Sequence, residues 1–453
     1  MHVSSDFDSA PFAARRTAFF GAFDGPAIVD AGRECPRNYA ANTFPFRASS
    51  HFLYLVGLPI EGACLVRADD VAIYAPAKSK DDALWHGPTP SFEELGERLG
   101  LPVRSLGQMP DLGGAAGVLF APGSISRSQM CLRLGRNSHG PTERDRVIRR
   151  AIIGCRSRHD AHAISELEQA AEATVEAHRA GMAITRPGVH EREIRAAMEY
   201  ALHRRGMGTS YEPIVTIRGE VLHNRGQTAV TKAGDLLLAD VGAETEAGFA
   251  GDVTRTWPVS GAFSSTQREV YDAVLASHTA AVARCVAGTR YRDVHLEACR
   301  VLASGLVDLG ILRGDPDELV ADGVHALFFP HGVGHLIGLD VHDMEDLGDE
   351  AGYAPDRTRS AQFGLGYLRL DRDLQSGMAV TIEPGFYRVP AILENPELRA
   401  IGGDRVNHER LAAFADVRGI RIEDDVLITE DAPRGLTDGL ARSAYDVESL
   451  VDA

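Results

Sequence analysis

One stretch constrains this chain more than any other: Leu236 to Trp257, LLLADVGAETEAGFAGDVTRTW. Two apolar runs flank a turn containing Gly242 and Gly248. Each run carries a carboxylate where a core residue is expected, Asp240 at the end of the first and Asp252 at the start of the second. Side chains alternate across a strand, so Asp252 and Thr254 share one face while Val253 and Arg255 take the other. A hairpin of this kind brings Asp240 and Asp252 close together. Two buried carboxylates without a cation repel and pay a desolvation cost. A divalent ion removes that cost; exposure of both side chains at strand ends is the alternative this segment leaves open.

The net charge of -17 argues against nucleic acid or an anionic membrane as partner. No apolar run reaches the roughly 18 residues of a spanning helix, and MHVSSDFDSAPFAARRTAFF lacks the long apolar stretch of a signal peptide. Six cysteines stand apart with no CxxC spacing, which fits free thiols in a reducing cytosol and gives no zinc knuckle. The expected location is cytoplasmic.

At 453 residues more than one domain is expected. The first runs over 1–155. Its short apolar runs, Pro26 to Asp30, Phe52 to Leu58, Ala63 to Val66 and Val71 to Tyr74, alternate with a helical stretch such as Phe92 to Leu99, an α/β pattern. His51 and Arg47 are its candidate substrate contacts, against a solvated loop. Arginine-rich Arg144 to Arg158 reads as a link. The second domain, 156–453, shows helical periodicity over Ser165 to Gly181 and His190 to Gly206, then strands. Helices follow over Thr266 to Val286 and Asp293 to Leu309, with Asp293 as N-cap, and then strands again to Thr429. This order suggests a duplicated α+β unit. Asp431 to Ala453 reads only as a surface tail.

Three further segments carry chemistry. FFPHGVGHLIGLDVHD sets His331, His335 and His342 among glycines beside apolar strands; MAVTIEPGFY ends an apolar strand on Glu383. In GIRIEDDVLIT, alternation puts Arg421 and Glu423 on one face, either as a site or as a structural ion pair. Two Asp, two Glu and one His form an oxygen-rich donor set suited to hard or borderline divalent ions such as manganese, cobalt or zinc. Four carboxylates exceed what one catalytic zinc takes, and fit two ions about 3.5–4 Å apart. Such a pair supports hydrolysis.

In this order, with GDVTRTW, HGVGHLIGLDVHD, TIEPGFY and GIRIEDD, the five residues closely resemble the pita-bread metallopeptidases, in particular the proline-specific branch of aminopeptidase P and prolidase. FPFRASSHFLYLVGLPIEGA resembles the start of the aminopeptidase P N-domain. The resemblance implies an α+β protein. A creatinase-like N-terminal α/β domain would precede a pita-bread domain whose pseudo-duplicated helix-helix-strand halves surround two metal ions. It implies Asp240 on one ion, His335 and Glu383 on the other, and Asp252 and Glu423 bridging, with Glu383 also as general base. His342 would contact the scissile carbonyl or stabilise the tetrahedral oxyanion, and His223 and His331 would position the proline and its neighbours. Arg421 and Thr254 would orient the ligands, and Tyr211 would line the metal pocket. Manganese is the implied ion, with cobalt or zinc as alternatives. Short proline-containing peptides are the implied substrates, and a homodimer or homotetramer the implied assembly.

Two departures stand out. Eleven residues separate the paired Asp residues, about one more than the family pattern, and Asn224 follows His223 where the pattern has Tyr. The N-domain motif favours an Xaa-Pro aminopeptidase. The long insertion between Glu383 and Glu423 looks more like prolidase; its Arg399, Arg405 or Arg410 would be a carboxylate anchor there, against the more ordinary reading of solvated surface charges. A metal-free binding module of the same fold, and creatinase, lack this ligand set; methionine aminopeptidase lacks the long N-domain.

Overall fold

The computed structural model describes residues 7–77, 82–137 and 140–451. Residues 1–6, where the stretch read above as carrying no signal peptide begins, and residues 452–453 of the tail lie outside the described residues. The chain divides into two compact units, Met1–Ser157 and Arg158–Ala453.

In the first unit a five-stranded sheet runs in the order Val103–Ser105, Val71–Ala75, Cys64–Arg67, Ala27–Asp30, Gly117–Leu119. The three central strands pair antiparallel and both edge strands add in parallel. Ile28, Val66, Ala72, Tyr74 and Val118 bury one face against Met130 and Leu134. The run from Phe52 is not a strand. Ser50–Val56 is a helix, capped by the Ser49 side chain accepting from the Phe52 N–H and ended by left-handed Gly57 at φ 82°. All seven residues are buried, so no exposed position betrays the period, and the caps decide. The expected link is also helical: Glu143–Arg156 starts at a capping box between Thr142 and Asp145.

The second unit repeats one pattern twice. Helices Ala161–Ile184 and Glu191–Arg204 precede a sheet of Thr254–Pro258, Leu236–Asp240 and Ile214–Thr216. Helices Ser265–Ala283 and Tyr291–Asp308 precede Ala379–Ile382, Asp424–Leu427 and Arg434–Gly435. In each half the N-cap of the second helix also makes an isolated antiparallel bridge, His190 with Val230 and Arg290 with Asp373. Asp293 is therefore not the cap; it sits in the first turn, where its charge faces the positive end of the helix. The halves meet where the Glu423 N–H donates to the Thr254 carbonyl at 3.0 Å.

Two stretches differ from expectation. Phe328 to Asp343 contains no strand and makes one bridge, Leu336 with Val380. It lies against Ala379–Ile382 all the same: the Thr381 N–H donates to the His335 carbonyl at 3.0 Å and Glu383 to Val333 at 2.7 Å. Gly334 allows this approach, because a Cβ there would collide with the Thr381 carbonyl and the Tyr291 hydroxyl. The tail is not merely surface. Ala444–Val451 is a helix, and Leu440, Ala444 and Val447 are buried.

Candidate metal centre

The duplicated pattern sets the site. In each half, one strand ends on or just before a carboxylate and its antiparallel partner begins one or two residues after another. Asp240 closes Leu236–Asp240 and Asp252 precedes Thr254–Pro258; Glu383 follows Ala379–Ile382 and Glu423 precedes Asp424–Leu427. The four carboxylates line one cavity of about 200 Å³ together with Tyr211, His223, His331, His335, His342, Arg369 and Arg421.

His335 enters from the strandless segment. Its N–H is held by the Thr381 hydroxyl at 3.1 Å, and its Nδ1 donates to the Leu336 carbonyl at 3.0 Å. That bond leaves the Nε2 lone pair facing Asp252 Oδ2 at 3.4 Å and Glu383 Oε1 at 3.8 Å. A lone pair aimed at carboxylate oxygens is repulsive unless a proton or a metal cation lies between. Burial lowers His335, but Asp252 and Glu383 outweigh it and shift the ring upward, so either one is drawn to this position. Donor atoms of Asp252, His335 and Glu423 fall within 4.8 Å of one another.

The surrounding groups hold the carboxylates in place. Tyr211 Oη bonds both Asp240 and Asp252, the latter at 2.6 Å. Burial and those two charges push its hydroxyl well up, so it stays a donor. Arg421 spans the site: Nη2 pairs with Asp240 at 2.5 Å, Nε donates to Thr254 Oγ1 at 2.9 Å and Nη1 to the Tyr387 hydroxyl at 3.0 Å. Thr254 then donates to Glu423 Oε2 at 2.7 Å. Tyr387 meets His331 Nε2 at 2.9 Å, while His331 Nδ1 donates to the Gly332 carbonyl. Burial, reinforced by Arg421, drives His331 down to about 3, so it is a neutral acceptor. His342 packs its ring 4.3 Å from that of His335, and burial holds it at about 2. His223 is shifted down by burial and then by Arg421.

Electrostatics complete the test of fit. Burial, with the charges of its neighbours, pushes Glu423 well above the carboxylate range, Glu383 to about 7 and Asp240 to about 6. Arg421 alone does not neutralise the cluster. The donor chemistry and the crowding fit divalent cations, which would replace the protons that the cluster otherwise takes up. A pH dependence follows for the metal-free protein. Both folded-state values lie above the usual 3.8 and 4.5, so the folded chain binds more protons than the unfolded one between them. The contribution of these two carboxylates to stability therefore falls as pH rises from about 4 to about 7. Histidines held low by burial, such as His178, His295 and His331, act in the opposite direction on acidification, so the comparison is made at each pH with and without metal. Chelator is expected to lower the melting temperature less at pH 5.5 than at pH 8; an equal or larger loss at pH 5.5 contradicts the crowding.

The expected residues do not all converge. His51 is buried in the first unit with its Nδ1 2.8 Å from Arg156, and Arg47 donates to Ser50. Arg405 pairs with Asp322, Arg410 donates to the Leu309 carbonyl, and Arg399 is exposed; none lines the cavity. Arg369 does. It also lines an adjoining cavity of about 570 Å³ with His223, Arg359, Phe363 and Tyr367, and pairs with Glu345 at 2.6 Å. Its signal in sequence was faint: one arginine among several in LRLDRDL. Tyr387 closes the TIEPGFY motif but reads as a core aromatic in sequence. Asp425, whose Oδ2 accepts the Asp252 N–H at 3.0 Å, was hidden in an acidic pair.

Comparison with known proteins agrees with this geometry. Residues 165–430 match the model of metallopeptidase family M24, and residues 12–112 match the aminopeptidase P N-terminal domain. The Xaa-Pro aminopeptidase of Escherichia coli strain K12 is 31% identical over 94% of this chain and 93% of its own length. Xaa-Pro aminopeptidase 2 of Streptomyces coelicolor is 31% identical over 99% of this chain and 92% of its own. Among solved structures, proline aminopeptidase P II from Yersinia pestis superposes with a TM-score of 0.79 at 28% identity, covering 98% of this chain and 99% of that one. Aminopeptidase P from E. coli with the inhibitor Pro-Leu gives 0.79 at 29%, covering 99% of each. The strand-end carboxylates and the two matched segments lead to one conclusion: the chain belongs to metallopeptidase family M24, with an aminopeptidase P N-terminal domain before a pita-bread domain.

Proposed function

We infer that this protein is an Xaa-Pro aminopeptidase, a hydrolase that releases the first residue of a peptide whose second residue is proline. The observation that carries this is the convergence of four carboxylates from two halves, with one imidazole, at the floor of an open cavity. The relatives' names point the same way. Asp240, Asp252, His335, Glu383 and Glu423 are the residues that would hold two divalent ions, with manganese the favoured identity. Bound there, the ions supply an activated water and polarise the peptide carbonyl.

The rest falls to the chain's own groups. Glu383 takes the proton of the attacking water and returns it to the proline nitrogen as the bond breaks. His342 is half-buried beside His335 and donates to the carbonyl oxygen as charge develops there. His331 and His223 line both cavities and seat the proline ring. Tyr387 and Arg421 fix His331, so the pocket is set before substrate arrives. The two domains are read as 1–155 and 156–453, the assembly as a homodimer or homotetramer, and the location as cytoplasmic. Among the described residues no helix is long and apolar enough to cross a membrane.

A second reading, Xaa-Pro dipeptidase, is favoured by one observation: Arg369 and Arg359 line the larger cavity, where a guanidinium suits a peptide's terminal carboxylate. The test is manganese-loaded protein offered a Xaa-Pro-Xaa tripeptide and a Xaa-Pro dipeptide. Cleavage of the tripeptide with release of its first residue is expected. Cleavage of the dipeptide alone, with KM raised at least about tenfold in Arg369→Met, establishes the second reading instead.

A further inference from the structure

A second cluster of donors lies away from the carboxylates. His295 and Cys299 are one turn apart on Tyr291–Asp308, and His325 comes from the short turn Val324–Leu327. One donor from each lies within 4.8 Å of the other two, and all three side chains are at least nine-tenths buried. We propose that His295, Cys299 and His325 form a third metal site, which takes a thiophilic borderline cation such as zinc.

Core filling explains two of the three. A buried cysteine packs as a small apolar group, and its Sγ makes a weak contact with His295 Nε2 at 3.5 Å. It does not explain His325. Neither ring nitrogen of this buried imidazole has a hydrogen-bond partner. The Leu319 backbone only opposes, without that geometry, the burial that holds the ring at about 4. An unpartnered buried polar group costs about 1–3 kcal/mol, and a cation drawing on its lone pair removes that cost.

The donors also select the ion. Two imidazoles and a thiolate suit zinc, and leave a fourth position for a small ligand. The carboxylate-rich centre, by contrast, suits harder ions. The helix supplies the spacing, since residues four apart share a face. The cluster also touches the peptidase cavity through one ring. His295 lies 5.7 Å from Phe329, and Phe329 stands edge-on to His331 at 4.8 Å. An ion here fixes the wall on which His331 rests.

The experiment uses full-length protein and cobalt(II), whose bond to a thiolate gives an intense near-ultraviolet charge-transfer band that oxygen and imidazole donors do not. Equilibrium dialysis counts the ions. Three cobalt ions per chain and the band are expected for the wild type. Cys299→Ala and His325→Phe, each checked for an unchanged far-ultraviolet spectrum, should bind two ions and lose the band. Asp252→Asn should keep the band, which separates this site from the peptidase centre. A wild type that binds two ions without the band, or a band that survives both substitutions, overturns the proposal.

Discussion

Glu423→Gln is expected to abolish peptide hydrolysis, with kcat/KM falling at least about a thousandfold, roughly 4 kcal/mol of transition-state stabilisation. Metal content, counted after dialysis, should fall with it. The geometry adds a less obvious result in the opposite direction. Of the four site carboxylates Glu423 is the one whose ionisation the surroundings oppose most, through burial and then the charges of Asp252, Glu383 and Asp240. The amide keeps an oxygen for the Thr254 hydroxyl, which donates to Glu423 Oε2 at 2.7 Å, and carries no charge. Metal-free Glu423→Gln should therefore melt above metal-free wild type, while wild type with metal melts above both. If the variant's metal-free form melts lower, Glu423 is held by ordinary packing and the argument from crowded carboxylates fails.

Arg255→Met is expected to cost the second unit about 3–5 kcal/mol, because it strips a buried charge of its partner. Arg255 is fully buried and directs every donor inward. Nη2 pairs with Asp424 Oδ1 at 2.7 Å, Nη1 donates to the Glu423 carbonyl at 2.6 Å, and Nε donates to the Ala441 carbonyl at 2.8 Å. Burial alone would raise Asp424, yet Arg255 and then His278 hold it well below the carboxylate range. Removing the guanidinium leaves that carboxylate 2% exposed, with only His278 and Arg442 at 3.1 Å and the Thr437 hydroxyl to offset it. The denaturation midpoint of the second unit measures the loss. Arg255→Met with Asp424→Leu should lose less than Arg255→Met alone, since an apolar pair needs no compensation. Equal losses would mean the pair is not what the unit depends on. Activity should fall in the single variant too, because Arg255 anchors the backbone of Glu423.

The site was more legible than the scaffold around it, for a physical reason. A carboxylate closing an apolar strand breaks the alternation that burial imposes, so Asp240, Asp252, Glu383 and Glu423 announced themselves. Alternation also put Thr254 on the face of Asp252, and Arg421 on that of Glu423; the structure joins Thr254, Arg421 and Glu423 through the Thr254 hydroxyl. Ser50–Val56 was illegible because a run buried on every side has no period, and its identity rests on Ser49 and Gly57. The tail was illegible because its role is not local: the Ala441 carbonyl and the Thr437 hydroxyl matter only once Arg255 and Asp424 are in place. Arg369 was passed over for the same reason. Arg399, Arg405 and Arg410 stand in the conspicuous insertion, whereas Arg369 reaches the cavity from a segment with no pattern of its own. His295 and Cys299 are visible as a pair one turn apart, but their partner His325 is brought in by the fold alone.

The even division of carboxylates between the two halves has a consequence for how long the folded chain survives. Each half brings two like charges to a common seam, crossed by the bond from the Glu423 N–H to the Thr254 carbonyl, so the halves push apart there and bound cations would act as rivets driven through that seam. Their binding energy is then shared between catalysis and cohesion. At an ion concentration about a thousandfold above Kd, roughly 4 kcal/mol of the fold's durability is borrowed from the medium. In a cell short of the ion, the peptidase would lose its resistance to unfolding and its activity together, and its abundance would track the metal supply without any dedicated sensor.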